Sequence, residues 1–405
     1  MDDGGVVRNM NDETRESLSA VVPAVQAPHS VTCLRSLKRR GVHTIAAYEE
    51  PTPAFCSRHC DETHVVTSPD TDVEGYKDEL LALASRDDVR AIFPMREVDV
   101  YVLSKYRSEF SATVAPLWPS FETLEVAHDR YELVEAARNA GVPTPETRLL
   151  DEVPEWDAKR IIKARYALLT EEYLCDDLEG GTAEPPDVRY LPPGIEPNRE
   201  EIRAEMKHAP LVQEYVPGDE YAFWALYEDG EPIATCQKRQ LRALRYAGGT
   251  SVYRETVKIP ELASAGHDLL EHLDWNGFAS VQFKKDDRTG EFKLLELNPR
   301  VWVSVSCPVT AGLDFPYYYW QRSNGNPTDP TPDYEQDVAT HRIGGELMYL
   351  LSILRTDNPF VEKPPFYSAV REVVSSLYRR PHFDYFRLDD PYPFFCDIKK
   401  YVHDT

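Results

Sequence analysis

The chain has 405 residues, with 69 acidic side chains against 45 basic ones and a net charge of −24. Hydrophobic residues make up 42%, which excludes a wholly disordered chain, and the length allows two to three domains. The acidic balance argues against a nucleic-acid binder, which must neutralise phosphates, and no apolar run reaches the ~18–20 residues of a membrane span.

Residues 1–18 are polar and without period, and read as a tail in which Met10 is a second candidate start. Then Ala20–Val25 predicts a strand, Val31–Arg40 a helix and Val42–Ala47 a strand. Val65 and Val66 end a third strand, Val73–Ser85 forms a helix and Val89–Pro94 a fourth strand. Alternating strands and helices imply a parallel α/β layer. The first strand-to-helix turn, Ala24 to Ser30, has no glycine, so the dinucleotide fingerprint is missing. Between Phe121 and Gly141, Leu124, Tyr131, Val134 and Ala137 form a helical stripe, stopped by Gly141 and Pro143. Arg160–Ala164 is a strand, and 171–199 is a Gly-, Pro- and acid-rich irregular loop. Strands follow at Pro210–Val216 and Glu220–Tyr227, then an amphipathic helix at Leu262–Leu273. Ala279–Lys284 and Phe292–Leu297 form a hairpin across Asp286–Gly290. Beyond 326 the chain is Pro- and aromatic-rich, with helices near 343–355 and 367–379.

Three places invite chemistry. In the strand ending Glu296-Leu-Asn298, the two polar side chains share a face by alternation, with Leu295 and Leu297 behind them. The hairpin adds Gln282, and this oxygen set suits a hard cation such as Mg2+. Arg300, one alternation on, can meet phosphate with its fork. The second place is Lys238, Arg239, Arg242 and Arg245, followed by Gly248-Gly249-Thr250-Ser251. It reads either as an anion site or as a ladder of surface ion pairs. The third is Lys163, a cation in an apolar strand, aimed either at a phosphate or at solvent.

In order, His128-Asp129-Arg130, Ala140-Gly141-Val142-Pro143-Thr144-Pro145, Ile161-Ile162-Lys163, Gln213-Glu214-Tyr215-Val216-Pro217-Gly218 and Leu295-Glu296-Leu297-Asn298-Pro299-Arg300 make the chain resemble the ATP-grasp superfamily, in its carbamoyl-phosphate-synthase-like, carboxylate–amine ligase branch. The resemblance covers roughly residues 20–320. It implies an α/β (α+β) chain: an α/β pre-ATP-grasp domain of Rossmann-like build at 19–118, then an ATP-grasp domain at 119–325. Within the latter, a lid lobe spans about 142–213 and a metal-binding lobe about 214–325, with a helical extension at 326–405. Arg130 and Lys163 would hold ATP phosphates; Glu214, Tyr215 and Val216 would form the adenine linker, and Glu220 would accept a ribose hydroxyl. Gln282, Glu296 and Asn298 would ligate Mg2+ or Mn2+. Arg300 would serve the transferred phosphate, and Lys238 and Arg239, from the cation cluster at 238–245, are the further candidates beside the reacting groups. The implied reaction joins a carboxylate to an amine or similar nucleophile through an acyl phosphate, releasing ADP and phosphate. Small-molecule substrates, no nucleic acid and no membrane complete the expectation, with a homodimer compatible with it. Gln282 stands where many members carry a carboxylate, and the usual compact glycine loop after Lys163 is not recognisable, with Gly180-Gly181-Thr182 as its candidate replacement. Both departures support the alternative of a degenerate nucleotide-binding regulator.

Without a basic n-region followed by an apolar stretch, no secretory signal is visible and the cytoplasm is the expected compartment. The chain carries 14 Lys against 31 Arg, a balance expected of a high-salt cytoplasm, where screening relieves self-repulsion. A melting temperature that rises between low and molar KCl is the expected result; a flat one would contradict this reading. The seven cysteines, at 33, 56, 60, 175, 236, 307 and 396, are odd in number and irregular, and read as reduced thiols. Cys56, Cys60 and His64 lack the spacing of a four-ligand zinc site.

Overall fold

The computed structural model describes residues 18–174, 178–328 and 332–403. Residues 1–17 of the expected tail, with Met10, and Cys175 lie outside the described residues. Four short apolar strands, β1 (Ser19–Pro23), β2 (His43–Tyr48), β3 (Glu62–Val65) and β4 (Val89–Ile92), pair in parallel in the order β3-β2-β1-β4. All five β1 residues are buried, as expected of a parallel strand covered on both faces. The covering helices include Pro28–Arg39, with proline in its first turn, and Val73–Ala84, capped by Asp72 on the Gly75 N–H. Strand order reverses at β1, so the ends of β1 and β4 open a crevice, and Glu97, just after β4, accepts from Arg300 of the site described below.

A second sheet, β5 (Thr147–Leu149), β6 (Arg160–Lys163), β7 (Arg189–Leu191) and β8 (Leu211–Glu214), is antiparallel in the order β5-β8-β6-β7. It closes over its own core of Leu150, Val153, Ile162, Ile202, Met206 and Val212. Strand β7 falls in the segment expected to be irregular. Gly180-Gly181-Thr182 is not over the cavity. The Val73 N–H donates to Gly180 O at 3.0 Å and the Thr182 N–H to Pro69 O at 3.0 Å. A Cβ on Gly181 would come within 2.1 Å of Asp70 O, so glycine here serves docking on the first unit.

The third sheet holds β9 (Glu220–Glu228), β10 (Glu231–Arg245), β11 (Gly248–Val257), β12 (Gly277–Lys285), β13 (Phe292–Asn298) and β14 (Ala339–His341), in the order β13-β12-β9-β10-β11-β14. One face, with Phe223, Val281, Phe283 and Leu297, packs on Leu262, Leu269 and Leu270 of the helix Pro260–His272. The stripe expected at 121–141 is two helices, Phe121–His128 and Arg130–Asn139, because Asp129 accepts the Tyr131 N–H and caps the second.

The expected cation cluster is instead part of a long hairpin, β10 to β11. Alternation splits it: Arg239 meets Asp219 at 2.7 Å, Arg242 meets Glu346 at 2.6 Å and Arg245 meets Asp187 at 3.8 Å. Only Lys238 of the four turns into the cavity.

The C-terminal segment adds three helices, Ile343–Arg355, Phe366–Arg379 and Tyr392–His403; the last was not anticipated. It also supplies buried acids to cations elsewhere: Glu346 to Arg242, Asp384 to Arg254 and Asp390 to Arg35. The expectation of seven free thiols needs correction, since Cys56 and Cys396 form a disulfide across 340 residues of chain. The fold brings the final helix against the turn Pro53–Cys56, a proximity that sequence spacing cannot show. No helix among the described residues is long and apolar enough to cross a membrane.

Candidate active site

A cavity of about 400 Å3 opens between the second and third sheets. Its floor is one face of the third sheet, assembled by register. Gln282 lies opposite Glu296, Ser280 opposite both Asn298 and Trp224, Lys284 opposite Glu220, and Lys238 opposite Ala222. Antiparallel partners point to the same side, so side chains from four strands converge. Lys163, Glu214, Tyr215, Val216, Glu220, Lys238, Gln282, Glu296, Asn298 and Arg300 all line this space.

Two expected residues stand apart. Arg130 lies behind the wall: it donates to Ala164 O at 2.9 Å and Tyr166 O at 2.8 Å, and reaches Glu296 Oε2 at 3.9 Å. Arg239, expected beside the reacting groups, is on the opposite face with Asp219. The reason is strand alternation, since it neighbours Lys238, which points in.

Leu295 was expected in the core behind Glu296. Instead Gln282 pairs with Glu296 while Phe283 pairs with Leu294, so Leu295 is the extra residue of a β-bulge. Bulges re-aim strand residues beside functional sites; here the Leu295 carbonyl accepts from Lys163 Nζ at 3.1 Å, joining the second sheet to the third. Burial, reinforced by Arg130 and opposed by Glu296, pushes the Lys163 ammonium down to about 7. Burial also lowers Lys238 to about 8, against the attraction of Glu220. Its ammonium donates to Gln240 Oε1 at 3.4 Å.

The metal-type face is compact. Asn298 Nδ2 donates to Glu296 Oε1 at 3.0 Å, and Gln282 Nε2 to Ser280 Oγ at 3.3 Å. Of Gln282, Glu296 and Asn298, only Glu296 is a carboxylate. No cluster of three or more His, Cys, Asp or Glu among the described residues is arranged for a metal ion. The hard oxygens of Glu296, Asn298 and Gln282 suit Mg2+, with one negative charge among them.

Arg300 ties this face to the parallel sheet. Its Nε donates to Glu97 Oε1 at 2.8 Å, and Glu97 begins the helix after β4. Burial would raise the Glu97 carboxyl, but Arg300 and His128 outweigh it and hold it below its ordinary value. His29, after β1, is pushed down to about 3 by burial and by Arg300. It is therefore neutral, and its Nε2 sits 3.2 Å from Met95 O.

Sequence reasoning missed Lys284, Tyr190, Glu97 and the stacked Trp224–Trp302 pair, whose centroids are 5.2 Å apart. Lys284 was recoverable, because it is two residues beyond Gln282 on the same face. Tyr190 and Glu97 gave no local signal.

An ATP-grasp family model described as "ATP-grasp in the biosynthetic pathway with Ter operon" matches residues 207–344. The chain is 23% identical over 299 residues to a candidate urea carboxylase of Emericella nidulans, covering 71% of this chain and 24% of that protein. It is 27% identical over 210 residues to the N-terminal section of the carbamoyl phosphate synthase large chain of Methanopyrus kandleri, covering 49% of this chain and 35% of that protein. The chain thus spans only 24% and 35% of the lengths of these two relatives. Among solved structures, the biotin carboxylase domain of Hydrogenobacter thermophilus 2-oxoglutarate carboxylase superposes with a TM-score of 0.59 at 16% identity, over 79% of this chain and 73% of that one. N5-carboxyaminoimidazole ribonucleotide synthetase from Thermotoga maritima gives 0.53 at 18% identity, over 80% and 79%. The mixed α/β chain has the ATP-grasp fold.

Proposed function

We propose that this chain is an ATP-dependent, ADP-forming ligase that joins a small-molecule carboxylate to an amine or similar nucleophile. The observation that carries the reading is the convergence of Lys163, from the second sheet, on the face holding Lys238, Gln282, Glu296, Asn298 and Arg300. Cations from two lobes thus meet a hard-oxygen set in one cavity, an arrangement that suits a magnesium-bound polyphosphate. We read the second sheet and its surroundings, about 142–213, as a lid on the lobe 214–325.

In the proposed reaction a substrate carboxylate oxygen attacks the γ-phosphorus. The bond to the β–γ bridging oxygen breaks, ADP leaves and an acyl phosphate forms. The nucleophile then attacks the acyl carbon and phosphate departs. Lys163 would leave Leu295 O for the phosphates, while Arg130 holds the segment that follows Lys163. Glu220, fixed by Gln240 Nε2 at 2.8 Å, would accept ribose hydroxyls, and Tyr215 and Val216 would flank adenine. Arg300, aimed by Glu97, and Lys238 would orient the acceptor anion. Glu296, Asn298 and Gln282 would hold Mg2+, which supplies charge neutralisation of the polyphosphate when bound. The protein contributes position and preorganised charge.

Lys163→Ala is expected to weaken MgATP binding by about 1.5–3 kcal/mol, the range for a lost hydrogen bond to a charged group, without unfolding the chain. The wild type should also show a pH dependence. Phosphate binding favours charged Lys163 and raises its pKa, so affinity is greatest below about 7 and declines as pH rises through that value. Calorimetry between roughly pH 6 and pH 8.5 checks both statements. Unchanged affinity in Lys163→Ala, or an equally steep pH slope in that variant, would overturn the assignment.

A further inference from the structure

Behind the cavity wall stands an aromatic residue that the proposed chemistry does not use. Phe360 belongs to the segment following the helix Ile343–Arg355, yet it packs on two rings of the cavity. Its centroid is 5.4 Å from Tyr190, on β7, and 4.8 Å from Tyr215, which follows β8. Tyr190 and Tyr215 are themselves 6.4 Å apart, edge to face, and both line the cavity. The Lys159 ammonium lies 5.2 Å from the Phe360 ring and 5.9 Å from that of Tyr215.

The turn that presents Phe360 is fixed by one side chain. Asn358 Oδ1 accepts the N–H of Phe360 at 2.8 Å and of Val361 at 3.1 Å, while its amide engages the Tyr190 side chain. Upstream, the helix is anchored to the third sheet. Glu346 pairs with Arg242, and Ser352 Oγ accepts the Tyr246 N–H at 2.9 Å. A continuous path therefore runs from the third sheet, through this helix and turn, to the edge of the second sheet.

We infer that Phe360 and Asn358 are positioning residues for the nucleotide wall: the C-terminal segment sets the rings of Tyr190 and Tyr215 and holds β7 closed against the third sheet. This rests on reading the cavity as a nucleotide site. Each aromatic pair contributes beyond simple burial through its edge-to-face geometry. Losing two pairs loosens the wall without removing any group that touches a phosphate. The variant should therefore change nucleotide affinity and lid protection, not the chemistry.

The test is calorimetry of the full chain with MgADP, joined to hydrogen exchange of residues 188–191 and 213–216. Phe360→Ala is expected to weaken MgADP binding about tenfold, from two lost ring contacts, and to lose the protection that MgADP confers on both segments. Phe360→Leu should recover part of the affinity. Asn358→Ala should shift both readouts in the same direction, and it carries the test if Phe360→Ala does not fold. Affinity within about twofold of wild type, with protection intact, overturns the inference. Wild-type binding of MgADP with no effect of either variant sinks this inference alone; a wild type that binds no MgADP takes the nucleotide reading down with it.

Discussion

Glu296→Ala is expected to lower Mg2+-dependent ADP formation by roughly 10²–10³-fold, the scale of losing a preorganised electrostatic group. Glu296 is the only carboxylate of the three proposed ligands, because its partner in register is Gln282. Its Oε1 accepts from Asn298 at 3.0 Å, and its Oε2 balances Arg130 at 3.9 Å. Removing it leaves two amides to face the cation and several cations to repel it. Asn298→Ala should leave a weaker activity that excess Mg2+ partly restores. Gln282→Glu should tighten Mg2+ binding by restoring an anionic oxygen, with no required gain in turnover, since ground-state affinity is not transition-state stabilisation. The Glu296 side chain is 40% exposed, so its loss should spare the fold. A Mg2+ titration of ADP release, with circular dichroism as control, decides the matter. Wild-type activity of Glu296→Ala at limiting Mg2+ would remove the metal assignment.

The largest expected effect on stability lies at Arg254 and Asp384. Their side chains are 0% and 1% exposed, and they form an ion pair with each other. Ser306 Oγ also donates to Asp384, at 2.5 Å. Asp384→Ala leaves a guanidinium buried without its counter-charge, so a loss of about 3–5 kcal/mol is expected. The double replacement Arg254→Met with Asp384→Leu should recover much of this, since apolar packing replaces a costly buried pair. The shift of the urea midpoint measures both. If Asp384→Ala changes it no more than an exposed substitution such as Asp357→Ala, the pair does not hold the C-terminal segment to the sheet.

How far the sequence carried the reading depends on what each feature needs. Strand β1, the hairpin at 279–297 and the face of Glu296 and Asn298 rest on local periodicity, and the structure has them. Ten of the twelve candidate residues line one cavity. Arg130 sits behind that cavity's wall. Arg239 faces away, because reading 238–245 as a cluster ignored the alternation of a strand. The bulge at Leu295 was not legible, as it arises from a register offset between two strands. Equally hidden were the acids that Glu346, Asp384 and Asp390 bring to Arg242, Arg254 and Arg35. Those pairs are long-range, and only the fold brings them together. Tyr190 lies in a stretch whose Gly, Pro and acid content masks a three-residue strand held by its neighbour β6.

The most direct test of the proposed ligase follows a label. The purified chain is incubated with MgATP, amines and a pool of carboxylates carrying 18O in the carboxyl group, at low and at molar KCl, and the released phosphate is weighed by mass spectrometry. An acyl phosphate formed on a substrate carboxylate places one carboxyl oxygen in the phosphate that departs. The expected result is ADP together with 18O-labelled phosphate in the wild type, both lost in Glu296→Ala. Products of AMP and pyrophosphate, or ADP with phosphate that never carries the label, would contradict the account.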